Sequence, residues 1–521
     1  MQALLARGLQ ARAAGAPGEA EEYFREAARL DPLGVLPPFY LGNCAWERRD
    51  FDEAVRHYQQ AIERAPQDLA LRLNLCKAHV SRGSVDEALA ELRTLAALDP
   101  DSYPIQSSFL FTQHYSERVA PDEIARTHRE WGARFAARLA PEVVPAAPLR
   151  EPVANRRLRV GYVSGDFRSH SVAYFIEAIL EGHHRDRFEV FCYSTFDFED
   201  AVTRRLRDLS DHWRAIESLS DAQAASAIRH DGIDILVDLS GHTWGGRPGL
   251  FARRAAPVQI IYLGYPDTSG LAEMDYRIVD HETDPAELAP DLHSERLLYL
   301  PATQWCFRPD TRLPEPGPLP MLARGYLEFG SLNDFSKVSD TALHCWGRIL
   351  QAMPTARLRL LRSPEGERRA RACALLGEYG IAPERITATG WTDQIVPGQQ
   401  YREIDIALDS FPFNGVTTTC ESLWMGLPVV NLQGLHSIAR SGSSLLKCLG
   451  LDELVSTTAD QYVAVALSLA ADPARLIEYR EGLRARMRRS ALMDEPAFVG
   501  ALEALYQSAW RECLLSRTGA H

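Results

Sequence analysis

An α-helical solenoid followed by an α/β region of two Rossmann-like lobes is the fold class the sequence predicts, on three observations. AEEYFREAARLDP from Ala20, AVRHYQQAIERAP from Ala54 and ALAELRTLAALDP from Ala88 superpose at a period of 34. From Leu158 onward, short β-branched runs ending in Gly, Ser, Asp or Pro alternate with helix-like stretches. That alternation occurs twice, in two series separated by the proline-rich join RPDTRLPEPGPLPML.

The first element is the repeat array. Pro32, Pro66 and Pro100 close its three units, and Gly8 and Ala11 find counterparts in Gly42 and Ala45, where the third unit has Cys76 and His79. Small residues at fixed positions let paired helices approach, and the proline stops the second helix, a pattern resembling the tetratricopeptide repeat. One such unit cannot bury its apolar face alone, so stacked units share a core and present a concave groove suited to an extended peptide. A stabilising cap or a homodimer contact is the alternative use of the array. Residues 101–139 read as helical and continue or cap it, giving a helical domain over 1–139. APEVVPAAPLREP marks a linker over 140–157.

The first α/β series, 158–310, has strands in RLRVGYVSGDF, RFEVFCYSTF, IDILVDLSG and VQIIYLGYP. The second, 325–515, has them in YLEFGSL, ARLRLLRS, ITATGW, IDIALD and LPVVNL. Both predict doubly wound, mainly parallel sheets with ligand-binding loops at the carboxyl ends of the strands. Two such lobes facing across a cleft form the GT-B arrangement, with the acceptor side in the first lobe and a nucleotide-sugar in the second. The final helix, about 495–515, is a candidate to pack back on the first lobe.

Composition bounds the function. With 521 residues, 46% apolar and 24% charged, the chain is an ordinary globular protein of about three domains. A net charge of −13 without a long basic run argues against nucleic-acid binding. Nine scattered cysteines without a Cys-x-x-Cys fit reduced thiols. No stretch approaches the roughly 18 apolar residues of a membrane span, and the expected location is cytoplasmic.

The candidate chemistry lies in the loops that follow strands. In DIALDSFPFNGVTTTCESLWMGLPVV (405–430), a buried strand runs through a turn into a helix opened by Thr417 and Thr418. The N–H groups and hydroxyls of such a helix start suit a diphosphate, and Glu421, one turn inside, suits ribose hydroxyls. A plain threonine N-cap is the alternative. In FGSLNDFSKVSD (329–340), Lys337 can neutralise charge on a leaving nucleoside diphosphate, and Asp334 is a further donor-binding candidate. In GYVSGDFRSHSVAYF (161–175), Asp166 and His170 follow a first-lobe strand, where an imidazole can orient an acceptor or move its proton. YLGYPDTSG (262–270) offers the backbone N–H groups of Leu263 and Gly264. His242 in GHTWGG and Arg440, before a Gly/Ser-rich helix start, also stand at strand ends. With no Asp-x-Asp standing where a metal-dependent transferase would hold its cation, the chain is expected to meet phosphate charge with Lys337 and helix dipoles, without a metal or other cofactor, although DHETD (280–284) supplies acids.

Taken in order, GYVSGDFRSH, DGIDILVDLSGHT, LGYPDTSG, DYRIVD, FGSLNDFSKVSD and NGVTTTCESLWMGLPVV resemble the O-linked N-acetylglucosamine transferase family over essentially the whole chain. The resemblance implies inverting, metal-independent transfer from a UDP-sugar to a Ser or Thr hydroxyl of a protein held by the array. It puts the family's essential lysine on Lys337, its diphosphate threonines on Thr417 and Thr418, its ribose carboxylate on Glu421, its cleft histidine on His170, and the loop beside the donor sugar on Leu263 and Gly264. Animal members have Asp where Glu421 stands and His where Val416 stands. In WTDQIVPGQQYREID, the uracil-contacting segment by resemblance, Pro397 and Gln400 replace an expected histidine and basic residue. The large domain inserted between the lobes of animal members is absent, and the array is short. UDP-glucose or GDP-fucose as donor and Asn as acceptor are therefore alternatives within this architecture. A catalytically inactive scaffold is the alternative from another class, and a non-hydrolysing sugar-nucleotide epimerase a third.

Overall fold

The computed structural model describes residues 1–139, 156–289, 291–363, 365–390 and 398–518. The expected linker lies outside the described residues except for 156–157, as does Pro397. The array consists of α1 (Gln2–Ala13), α2 (Pro17–Leu30), α3 (Leu36–Glu47), α4 (Phe51–Arg64), α5 (Leu69–Arg82) and α6 (Val85–Leu98), followed by α7 (Tyr103–Thr112). The 34-residue period is a packing period. Ala20, Ala54 and Ala88 have no exposed surface, and a β-carbon at Gly8 would lie 2.4 Å from the Phe24 ring and one at Gly42 2.6 Å from the Tyr58 ring. One period later the same two positions hold Cys76 and Leu92, both buried, so a larger small residue coincides with loss of the ring. Asp50 and Asp68 cap α4 and α5 by accepting backbone N–H bonds, and Gly83 closes α5 at φ 88°.

Helix α8 (Pro121–Leu139), grouped with the array by sequence, packs against the first lobe. Its Gly132 is pressed onto the Gly270 carbonyl, 1.8 Å from where a β-carbon would stand. Its His128 meets the Tyr265 hydroxyl at 2.6 Å.

The first lobe runs β1 (Leu158–Ser164), α9 (Ala173–Gly182), β2 (Phe188–Ser194), α10 (Ala201–Asp208), β3 (His212–Ala215), α11 (Asp221–Asp231), β4 (Ile235–Asp238), α12 (Pro248–Ala252), β5 (Val258–Ile261), β6 (Tyr276–Asp280) and β7 (Arg296–Leu300). The sheet order is β3-β2-β1-β4-β5-β6-β7, with every pair parallel. Strand order therefore reverses between β1 and β4, the switch point where open α/β sheets bind ligands.

The second series runs α13 (Met321–Arg324), β8 (Glu328–Ser331), α14 (Asp340–Ala352), β9 (Arg357–Leu360), α15 (Glu367–Glu378), β10 (Ile386–Ala388), β11 (Ile406–Leu408), α16 (Thr417–Trp424), β12 (Val429–Leu432), α17 (Ser441–Cys448), β13 (Val455–Ser456), α18 (Ala459–Ala470), α19 (Pro473–Arg488) and α20 (Glu495–Thr518). Strand β9 pairs parallel with β8 and β10, and β12 parallel with β11 and β13. The fold is the repeat array followed by two parallel α/β series expected from the sequence. By internal packing the chain divides into two compact units, residues 1–117 with 326–395, and 118–325 with 396–521.

Within the second unit, α20 completes the first lobe's core: Phe498, Leu502, Tyr506 and Trp510 join Val160, Tyr162, Ile179, Val190 and Val237. Buried polar bonds fix its register. The Glu503 carboxylate, 1% exposed, meets His183 Nδ1 at 3.0 Å and accepts the His184 N–H at 2.8 Å. Removing it would strand buried donors, a change that costs about 3–5 kcal/mol in comparable settings.

Candidate active site

At the β1–β4 switch point the loops after the two strands touch through glycines: a β-carbon at Gly165 would lie 3.0 Å from the Gly245 Cα. Thr195 Oγ1 donates to the Gly245 carbonyl at 2.7 Å and holds the β2 loop to them. In this setting Asp166 is buried, 3.5 Å from both His170 Nδ1 and an Arg168 Nη. Burial raises the Asp166 pKa, opposed by His170 and Arg168. Burial lowers that of half-buried His170 below its usual 6.5, outweighing the Asp166 charge, so the ring is neutral near pH 7. His170 Nδ1 also accepts the Val172 N–H at 3.4 Å, a bond that belongs to the tautomer protonated at Nε2. A tautomer protonated at Nδ1, facing Asp166, leaves Nε2 to accept a proton; the other makes Nε2 a donor.

His242, after β4, is placed differently. It is 4% exposed, its Nε2 lies 2.8 Å from the Ser269 carbonyl, and its ring packs edge-on to Trp131 of α8 at 4.6 Å. It anchors α8 rather than opening onto the loops. Asp238, at the end of β4, accepts the Ser240 and Gly241 N–H groups, while burial pushes its pKa to about 6.

After β5, Leu263 takes φ 71°, unusual for a branched residue, and the Gly264 N–H returns to the Tyr262 carbonyl at 3.0 Å. Of the two amides expected to face a ligand, that of Gly264 is therefore engaged within the turn. The Leu263 side chain packs on the first-lobe core, which offsets part of the backbone cost. Gly264 lies so close to β4 that a β-carbon would stand 1.7 Å from the Leu239 carbonyl oxygen.

In the same unit, Thr417 and Thr418 are the first two residues of α16, and the N-cap is Val416, whose side chain makes no cap bond. The plain threonine cap is thus not what this helix uses. Its approach is rigid: Asp409 Oδ1 accepts the N–H groups of Ser410 and Gly415, both at 2.9 Å, and Oδ2 accepts from Asn431 at 2.9 Å. Glu421 follows Thr417 by four residues, hence on the same face. Its carboxylate accepts a short hydrogen bond from the hydroxyl of Tyr401, itself 1% exposed. Sequence reasoning missed Tyr401, although it lies in the segment already marked for uracil.

Arg440 precedes α17 but donates to the Glu282 carbonyl at 2.7 Å and the Gly434 carbonyl at 3.2 Å. The serines of α17 are likewise engaged, Ser443 with Asn431 at 2.8 Å and Ser444 with Asp280 at 2.7 Å. Of the 280–284 acids, Glu282 pairs with Lys447 at 2.6 Å and Asp284 with His293 at 2.8 Å. Among the described residues, no group of three His, Cys, Asp or Glu side chains is arranged to hold a metal ion.

In the first unit, Lys337 ends a 3-10 turn, Phe335–Lys337, directly after β8, and its N–H donates to the Asp334 carbonyl at 2.9 Å. Asp334 is that turn's cap, its carboxylate accepting from the Ser336 N–H at 3.1 Å and hydroxyl at 2.9 Å. The candidates thus gather as Asp166 with His170, Leu263 with Gly264, Thr417 and Thr418 with Glu421, and Asp334 with Lys337.

The family model for glycosyl transferase family 41 matches residues 145–310 and 320–502, and one for the tetratricopeptide repeat matches 45–108. The chain is similar to the probable UDP-N-acetylglucosamine–peptide N-acetylglucosaminyltransferase SPINDLY of Petunia hybrida, 38% identical over 428 residues, 80% of this chain and 45% of that one. It is also similar to the probable enzyme of the same kind, SEC, of Arabidopsis thaliana, 30% identical over 405 residues, 74% of this chain and 41% of that one. The chain spans less than half the length of these curated relatives. Among solved structures it is similar to a mutant of the Thermobaculum terrenum O-GlcNAc transferase, at 35% identity and a TM-score of 0.91, covering 99% of this chain and 98% of that one. With that likeness the α/β region is assigned to the GT-B class. The chain belongs to glycosyl transferase family 41.

Proposed function

We propose that the chain transfers N-acetylglucosamine from UDP-N-acetylglucosamine to a Ser or Thr hydroxyl of a protein held by the repeat array, with inversion and without a metal. The observation that carries this reading is the likeness to an O-GlcNAc transferase along 99% of this chain.

In this reading the acceptor oxygen forms a bond to the anomeric carbon from the face opposite the diphosphate. The bond from that carbon to the diphosphate oxygen breaks, and UDP leaves with its bonding pair. The N–H groups and hydroxyls at Thr417 and Thr418 bind the diphosphate, which the helix dipole favours. Glu421, held by Tyr401, accepts from the ribose hydroxyls. The Lys337 ammonium neutralises the charge that grows on UDP as the bond breaks, lowering the barrier rather than merely tightening binding. His170 takes the acceptor hydroxyl's proton at Nε2, or in the other tautomer positions the hydroxyl through Nε2–H while a diphosphate oxygen of UDP takes the proton. Leu263 lines the donor sugar, and Gly264 fixes that turn. Asp334 and Arg440 act one step away, by capping the Lys337 turn and by tying the 434–440 segment to the 282 loop.

Thermal shift with a panel of nucleoside diphosphates and their sugars tests the reading, because a ligand at 100 times its Kd stabilises the native state by about 2.7 kcal/mol. UDP and UDP-N-acetylglucosamine should raise Tm. A shift with GDP-fucose or UDP-glucose alone would reassign the donor, and no shift with any of them would favour the inactive scaffold.

A further inference from the structure

The array and the Lys337 turn share the first unit, and one side chain lies between them. Arg368, near the start of α15, has only 11% of its side chain exposed. It donates through Nη2 to the Val338 carbonyl, next to Lys337, and through Nη1 to Asp340 Oδ1 at 2.8 Å. Its guanidinium carbon lies 5.7 Å from the ring centre of Phe335, the buried first residue of the Lys337 turn. Its other side rests on the array: a β-carbon at Gly83, the C-cap of α5, would stand 2.8 Å from Arg368 Nε. Helix α5 itself packs on the turn.

The flanks of this wedge are pinned as well. Arg82 of α5 pairs with Glu367 at 2.8 Å, and Asp52 of α4 accepts the Glu367 N–H at 2.6 Å. Beyond the turn, Glu117 accepts the Ser339 and Thr341 hydroxyls at 2.9 and 3.0 Å. A lysine at the end of a three-residue turn owes its backbone position to whatever holds the turn, and here an arginine fork seated on the array holds it.

We propose that Arg368, wedged between helix α5 of the repeat array and the Phe335–Lys337 turn, is a positioning residue for Lys337. The array is then part of the catalytic apparatus as well as a holder of acceptor. This rests on the reading of Lys337 as the group that stabilises leaving UDP.

The test is a double-mutant cycle on the full chain, reading UDP release from UDP-N-acetylglucosamine. Arg368→Ala should lower kcat about ten- to a hundredfold, the scale of a misplacement near 1 Å, with the donor KM changed by less than about threefold. In a Lys337→Ala background the same substitution should cost less than about twofold, because its effect runs through a group already removed. Arg368→Lys should recover part of the activity. Gly83→Ala, which pushes on Arg368 from the array side, should reproduce the kcat loss, and both carry the cycle if Arg368→Ala does not fold. Equal costs in the two backgrounds would overturn the proposal while leaving the leaving-group role intact. Undiminished turnover in Lys337→Ala would remove that role, and the proposal with it.

Discussion

Replacing Gly264 with alanine tests whether the turn after β5 belongs to the active site. The added methyl would stand 1.7 Å from the Leu239 oxygen, against 3.4 Å for ordinary contact, so the turn must retreat by about 1.7 Å. The obstacle is backbone of the first-lobe core and cannot swing aside as a side chain would. Overpacking of this kind costs about 1–3 kcal/mol of stability, which leaves a typical domain folded. If the turn lines the donor sugar, a displacement above 1 Å should lower kcat/KM by at least about a hundredfold. Donor hydrolysis measured beside a melting curve separates the effects. A folded Gly264→Ala protein with kcat/KM within about threefold of wild type would refute the assignment of this turn to the donor.

Lys337→Ala should lower kcat by about 10²-fold or more, the scale of losing one charge-stabilising donor, with UDP still raising Tm; normal turnover would discard the leaving-group role. For His170, burial sets the folded pKa below 6.5, so the ring is neutral above that value and protonates as pH falls through its lowered pKa. If it takes the acceptor's proton, kcat/KM should fall on an acid limb with a midpoint below 6.5, and His170→Asn should lose that limb; a limb unchanged in the variant would assign it elsewhere. Tyr401→Phe removes the hydroxyl held by Glu421 and should weaken UDP binding by about 2- to 12-fold, equivalent to about 0.5–1.5 kcal/mol for ordering one side chain. A lower Tm with unchanged UDP affinity by calorimetry would make that bond purely structural.

The sequence was legible where periodicity or a buried run records packing directly. The period of 34 is visible because Ala20, Ala54 and Ala88 are each fully buried at the same place in successive units. Strands β1, β2, β4 and β5 announce themselves as buried apolar runs. Strand β3 escaped notice because three of its four residues are exposed and carry no apolar pattern; β7, at the opposite edge, is mostly half-buried. Side-chain partnerships were not legible. Arg368 reaches Val338 across 30 positions and Tyr401 reaches Glu421 across 20, and neither residue type announces such a partner. The setting of His242 was hidden for the same reason, since a histidine at a strand end looks alike whether it faces a ligand or Trp131.

Donor hydrolysis followed by proton NMR in the presence of EDTA tests the central claim most directly, because water stands in for the acceptor and no acceptor protein need be known. Metal-independent inversion predicts that UDP-N-acetylglucosamine yields UDP and, before mutarotation, free sugar of the β configuration, at a rate unaffected by the chelator. Release of the α sugar first, loss of turnover in EDTA, or no UDP at all would contradict it.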